Sequence, residues 1–228
     1  MSPRTTSSLS FFDMVILSLI LFAIPIYSSW MMYWDVTHMG NIAHTPLSFN
    51  ELANHHTLMM ELGSLGLAGI YLFLRSFDFR ALNLQFNRHT LPLTLLLIVC
   101  AGLTADVYQY LHYFFFPHHF PETPIVSDAT HYTPLLILVS LLNGFYEEIF
   151  FMGLIFAVHP KILPHMIGLS LIVRFAFHTY QGLASAFTIT TLGVVFLLFR
   201  RKTNMLLPFI LAHGFFDILG LSLLRWFI

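Results

Sequence analysis

The run LLILVSLLNGFYEEIFFMGLIFAV, Leu135–Val158, decides the fold. It is continuously apolar, without the alternation of a barrel strand, and approaches the ~20 residues that cross a bilayer as a helix. Six more apolar runs flank it: Phe11–Trp30, Leu58–Leu74, Leu91–Leu111, His165–Phe177, Leu183–Phe199 and Met205–Leu224. The fifth in chain order, His165–Phe177, is short. It must kink, borrow flanking residues or lie against protein rather than lipid. The reading is an all-α, polytopic transmembrane helix bundle of about seven spans.

Composition agrees. The 228 residues are 57% hydrophobic and 9% charged, with 25 Phe and a mean hydropathy of +0.77. A soluble domain carries about 25% charged residues, so a soluble enzyme, a disordered chain, a coiled coil and a disulfide scaffold are excluded. Net charge is −1, which offers no basic field for nucleic acid. The single cysteine, Cys100, lies inside an apolar run and reads as an inert thiol, without a disulfide or a multi-Cys metal site.

Lysine and arginine set the expected orientation. With the N-terminus cytoplasmic, Arg4, Arg75, Arg80, Arg88, Lys161, Arg200, Arg201 and Lys202 fall inside, eight of the ten basic residues. The connections Asp35–Thr57 and Pro117–Pro134 have no Lys or Arg and fall outside, as does the C-terminus. The first run lacks a small-x-small exit and reads as an uncleaved signal anchor. The histidines His38, His44, His55, His56, His118, His119 and His131 of the outer connections read as interfacial. Phe77–His89 reads as a short helix on the membrane surface.

Polar residues inside spans carry the functional signal, because a mid-bilayer carboxylate costs on the order of 3 kcal/mol on insertion scales. Glu147 and Glu148 are adjacent in the fourth run. Neighbouring helical positions differ by about 100°, so one should face a site and the other a supporting partner. Arg174 and His178 share a helix face at i, i+4, as do His213 and Asp217. Asp106, near Tyr108, Gln109 and His112 in the third run, is a weaker candidate.

Three elements in order, Glu147-Glu148, then His178 followed by Tyr180-Gln181-Gly182, then His213-x-x-x-Asp217, resemble the CAAX protease and bacteriocin-processing (CPBP, or Abi) family of intramembrane endopeptidases. Its patterns are Glu-Glu-x-x-x-Arg, Phe-x-x-x-His and His-x-x-x-Asn/Asp. The resemblance covers about Asn143–Leu224. It implies one integral membrane domain over 1–228, with variable N-terminal spans in 1–134 and a four-span catalytic core in 135–228. Two positions depart: Met152 stands where the family has arginine, and Arg174 where it has phenylalanine. This suggests an exchange, in which Arg174 supplies the guanidinium to Glu148 from the next span.

The resemblance implies that Glu147 and His178 activate a water and that His213, with Asp217, stabilises the oxyanion. Glu148 and Arg174 would support them. No cofactor is required in this glutamate-type version. In a zinc version, Glu147, His178, His213 and Asp217 would be the ligands. The substrate would be a hydrophobic or lipidated peptide or a membrane protein, reached within the lipid bilayer. The small size resembles prokaryotic members and implies a prokaryotic inner or plasma membrane. The alternatives are a non-catalytic immunity or scaffold protein on the same fold, which Met152 favours, and a proton-coupled transporter, which would call for internal repeats that are not visible.

Overall fold

The computed structural model describes residues 8–38, 51–116 and 133–224. Arg4, His44, His118, His119, His131 and Arg225 lie outside the described residues. Regular structure among the described residues is helical, apart from one isolated bridge between Leu9 and Val158. The helices are α1 (Phe11–His38), α2 (Glu51–Leu74), α3 (Thr90–Phe115), α4 (Pro134–Glu148), α5 (Leu163–Phe177), α6 (Leu183–Arg200) and α7 (Leu207–Leu219). Five segments are long and apolar enough to span a membrane: α1, α2, α3, α6 and Pro134–Ala157, which extends α4. Helices α5 and α7 are shorter apolar helices. The chain is an all-helical membrane bundle.

Three of the sequence expectations change in detail. The fourth run is not one uniform helix: α4 ends at Glu148, a π-helical turn spans Ile149–Gly153, and a 3-10 turn spans Leu154–Ala157. The seventh helix stops at Leu219, because Gly220 takes a positive φ of 85° that ends the helical ladder. The Phe77–His89 segment holds only a 3-10 turn, Phe79–Leu82, capped by the Asp78 side chain and anchored by the buried Leu82.

Two close approaches place α4. At Gly144, a Cβ would lie 2.7 Å from the Ile210 carbonyl and 2.9 Å from the Gly214 nitrogen. At Gly214, a Cβ would lie 3.3 Å from the Ser140 carbonyl. Glycine on both sides lets the backbones of α4 and α7 touch, as small residues do in membrane helix pairs. On another face, Pro25 interrupts α1 and has no N–H to give the Leu21 carbonyl four residues back. The Tyr146 hydroxyl donates to that freed carbonyl instead, joining α4 to α1. Phe22 packs beside it, its ring centroid 5.0–5.4 Å from those of Tyr146, Phe150 and Phe151.

The remaining polar groups tie the bundle at its ends. Asp13 accepts hydrogen bonds from Tyr71 (2.7 Å), Arg75 (2.8 Å) and Ser10 (2.7 Å), joining the start of α1 to the end of α2. Asp106 accepts the backbone N–H groups of Leu223 and Leu224 at 3.0 and 3.1 Å. It anchors the chain beyond α7 and stands apart from the cluster described next.

Candidate active site

Helix α4 brings Asn143, Glu147 and Glu148 to the middle of the bundle. It is started by Thr133, whose hydroxyl accepts the Leu136 N–H at 3.1 Å, and by Pro134 in its first turn. Both glutamates are buried, at 1% and 0% exposure. They point in different directions, as their adjacency requires.

Glu148 makes the strong contacts. Its Oε1 accepts from Arg174 Nη2 at 2.6 Å and lies 2.6 Å from His213 Nδ1. The guanidinium that the exchange requires therefore arrives from α5. Arg174 is fully buried, its Cζ lies 4.2 Å from the centroid of the Phe151 ring, and Nη1 lies 3.8 Å from Glu147 Oε2. Gly193 on α6 makes room for it, since a Cβ there would meet Arg174 Cδ at 2.9 Å. Met152 is buried as well, and its carbonyl accepts from Arg200 at 2.6 Å.

Glu147 faces the histidines. Its Oε1 lies 3.7 Å from His178 Nε2 and 3.6 Å from His213 Nε2, and Asn143 Nδ2 donates to it at 3.3 Å. The imidazole distances are beyond direct hydrogen bonds and within reach of a shared water. Asn143 also donates to Asp217 Oδ2 at 2.8 Å, bridging α4 and α7. Asp217 Oδ1 lies 3.5 Å from His213 Nε2. The group that holds His213 Nδ1 is thus Glu148, not Asp217.

His178 stands where α5 ends and a 3-10 turn, Thr179–Gln181, begins. Its Nδ1 is 2.8 Å from the Arg174 carbonyl. A carbonyl only accepts, so Nδ1 carries the proton, and the neutral ring has its lone pair on Nε2, toward Glu147. Gly182, at φ 87°, turns the chain into α6. Ser29 of α1 fixes this turn: its hydroxyl accepts the Tyr180 N–H at 2.8 Å and lies 3.0 Å from the Thr179 hydroxyl.

The six site residues that the resemblance implies, Glu147, Glu148, Arg174, His178, His213 and Asp217, converge, whereas the weaker candidate Asp106 binds the chain beyond α7. Asn143, Ser29 and Gly193 complete the arrangement and were not singled out. Asn143 alone had a signal in the sequence, being polar, mid-span and one helical turn before Glu147. Among the described residues, Glu147, Glu148 and His213 offer ligand atoms within 4.8 Å of one another, a compact set for a cation. Glu148 is already occupied by Arg174 and His213, however, and the guanidinium supplies positive charge at that spot.

Residues 129–219 match the family model described as type II CAAX prenyl endopeptidase, Rce1-like. No curated protein and no solved structure matches the chain. The matched segment runs through α4, α5, α6 and α7, and leaves α1, α2 and α3 outside. Every residue of the cluster except Ser29 lies within it. Through that segment the chain is similar to the type II CAAX prenyl endopeptidases.

Proposed function

We propose that the chain hydrolyses a peptide bond within the membrane by a glutamate-type mechanism. The observation that carries this reading is the convergence of Glu147 Oε1 with both imidazole Nε2 atoms, at 3.6 and 3.7 Å, in a buried site. A water held among them gives a proton to Glu147, with the His178 lone pair orienting it. The hydroxide oxygen bonds the carbonyl carbon, and the carbonyl π pair moves onto oxygen. His213, as an imidazolium, donates to Glu148 through Nδ1 and to the oxyanion through Nε2. Collapse breaks the C–N bond, and Glu147 returns its proton to the leaving nitrogen. Asp217 and Asn143 hold the His213 side of the site.

The zinc version suits these residues less well. Arg174 already balances the carboxylates, and a divalent ion among them would face its guanidinium. The substrate class is a hydrophobic or lipid-tethered peptide, as befits a buried site in a membrane bundle, and the membrane is that of a prokaryotic cell.

The test is cleavage of a panel of membrane-anchored and prenylated peptides by purified protein in lipid. Glu147→Gln lowers the rate by about 10²–10⁴, the usual contribution of a general base, while the protein stays folded. A chelator leaves wild type active. Full activity of Glu147→Gln overturns the assignment, and loss on chelation turns it toward the metal version. A wild type that cleaves no peptide favours the scaffold reading.

A further inference from the structure

Two residue pairs at i, i+4 face each other across the contact between α4 and α7: Asn143 with Glu147, and His213 with Asp217. Each pair holds one N–H donor and one carboxyl group. The close approach at Gly144 and Gly214 brings the helices near enough for the pairs to close into a ring. Around it, Asn143 Nδ2 is 3.3 Å from Glu147 Oε1, which is 3.6 Å from His213 Nε2. His213 Nε2 is 3.5 Å from Asp217 Oδ1, and Asp217 Oδ2 is 2.8 Å from Asn143 Nδ2. Donor and acceptor alternate at the four corners. Both neighbours of the Asn143 amide are carboxyl oxygens, which places its nitrogen rather than its oxygen toward them. The ring is open at one corner: the Asp217 side chain is 27% exposed, against 1% for Glu147 and 6% for His213.

The two hydrogen bonds of the Asn143 amide are unequal. The one to Asp217, at 2.8 Å, fixes the amide between α4 and α7. The one to Glu147, at 3.3 Å, is long, and it ends on the carboxyl group that takes the proton from water in the hydrolysis proposed above. Protonation of Glu147 removes the charge that holds this N–H. In the same step the hydroxide oxygen bonds the carbonyl carbon, and the carbonyl π pair becomes a full charge on oxygen. Hydrogen bonds to a charged acceptor are the stronger ones, so the donor follows the charge. We infer that Asn143 is a catalytic residue, the second oxyanion donor beside His213, its N–H passing from Glu147 to the substrate oxygen as the tetrahedral intermediate forms. A carboxylate only accepts, so Asp217 contributes by holding the amide rather than by touching the oxyanion. On collapse the electron pair returns to the C=O bond and the C–N bond breaks. Glu147 gives its proton to the leaving nitrogen, and the amide N–H returns to the restored carboxylate.

This inference rests on the protease reading, and binding of a tetrahedral anion separates the two. The probe is the phosphinate isostere of the peptide that wild type cleaves best, in which an anionic phosphinyl group and a methylene replace the cleaved amide. Full-length wild type, Asn143→Leu, Glu147→Gln and the double variant are compared in lipid for cleavage and for phosphinate binding. Asn143→Leu lowers kcat by about 10²–10³, the range for loss of one oxyanion donor, and changes KM by less than about threefold. It weakens phosphinate binding by about tenfold or more, as loss of a contact made to the transition state requires. The same weakening separates Glu147→Gln from the double variant, because the amide meets the anion directly. A weakening that disappears once Glu147 is replaced assigns Asn143 to positioning Glu147 and overturns the inference. An unchanged kcat or unchanged phosphinate binding overturns it as well; the protease reading survives each of these results. Where Asn143→Leu does not fold, Asn143→Ala decides. A wild type that cleaves no peptide overturns the protease reading and this inference together.

Discussion

Removing the Arg174 guanidinium strands Glu148 in a fully buried position, with His213 as its remaining partner. Breaking one side of a buried ion pair costs about 3–5 kcal/mol, most of it the uncompensated charge left behind. Arg174→Met is therefore strongly destabilising in equilibrium unfolding in detergent, and Arg174→Met with Glu148→Gln loses less than the single change. An additive or larger loss in the double variant would show that the pair is not what Arg174 contributes. The residues at the centre of this argument were readable from sequence, because a charge inside an apolar run has to find a partner. Asn143, Ser29 and Gly193 were not, since their roles depend on which helix faces which. Glu61 differs from these: it is a carboxylate inside the run Leu58–Leu74 and carried the same signal as Glu147 and Glu148, yet it was not singled out.

At the scale of elements, the glycines divide into two kinds. Gly144 is in backbone contact with α7, whereas a Cβ at Gly66 on α2 meets nothing within 4 Å. Gly144→Ala forces α4 and α7 apart, costs about 1–3 kcal/mol as an overpacked contact, and lowers cleavage by moving His213 away from Glu148. Gly66→Ala gains up to about 1 kcal/mol of helix propensity and leaves cleavage intact. Thermal unfolding and the peptide assay read both; equal effects of the two substitutions would dismiss the α4–α7 contact as the determinant. The seven helices were legible as apolar runs. The change from α to π to 3-10 geometry across Glu148–Ala157 was not, because the residues stay uniformly apolar through it and hydropathy carries no trace of the altered ladder.

For the whole molecule, the basic residues predict a cytoplasmic face containing Arg80, Lys161 and Lys202. In a chain whose Cys100 is replaced by alanine, single cysteines at Arg80, Lys161 and Lys202 should react with an impermeant maleimide only after the cells are opened. A cysteine at His56, on the exposed side of α2, should react in intact cells. The opposite pattern would invert the bundle and with it the side from which substrate arrives.

The Arg174–Glu148 pair also bears on how the chain enters the membrane. In the family pattern, an arginine four residues after the second glutamate balances the charge within a single segment. Here Met152 occupies that position and the balancing charge follows on α5, after the connection that holds Lys161. When α4 leaves the ribosome it meets lipid with two unmatched carboxylates, each carrying an insertion penalty of about 3 kcal/mol on translocon scales. Segment α5 arrives short and with a guanidinium of its own. Neither is a good solitary guest of the bilayer, so the two partition best as a hairpin, and biogenesis of this chain is cooperative at the step where its chemistry is assembled.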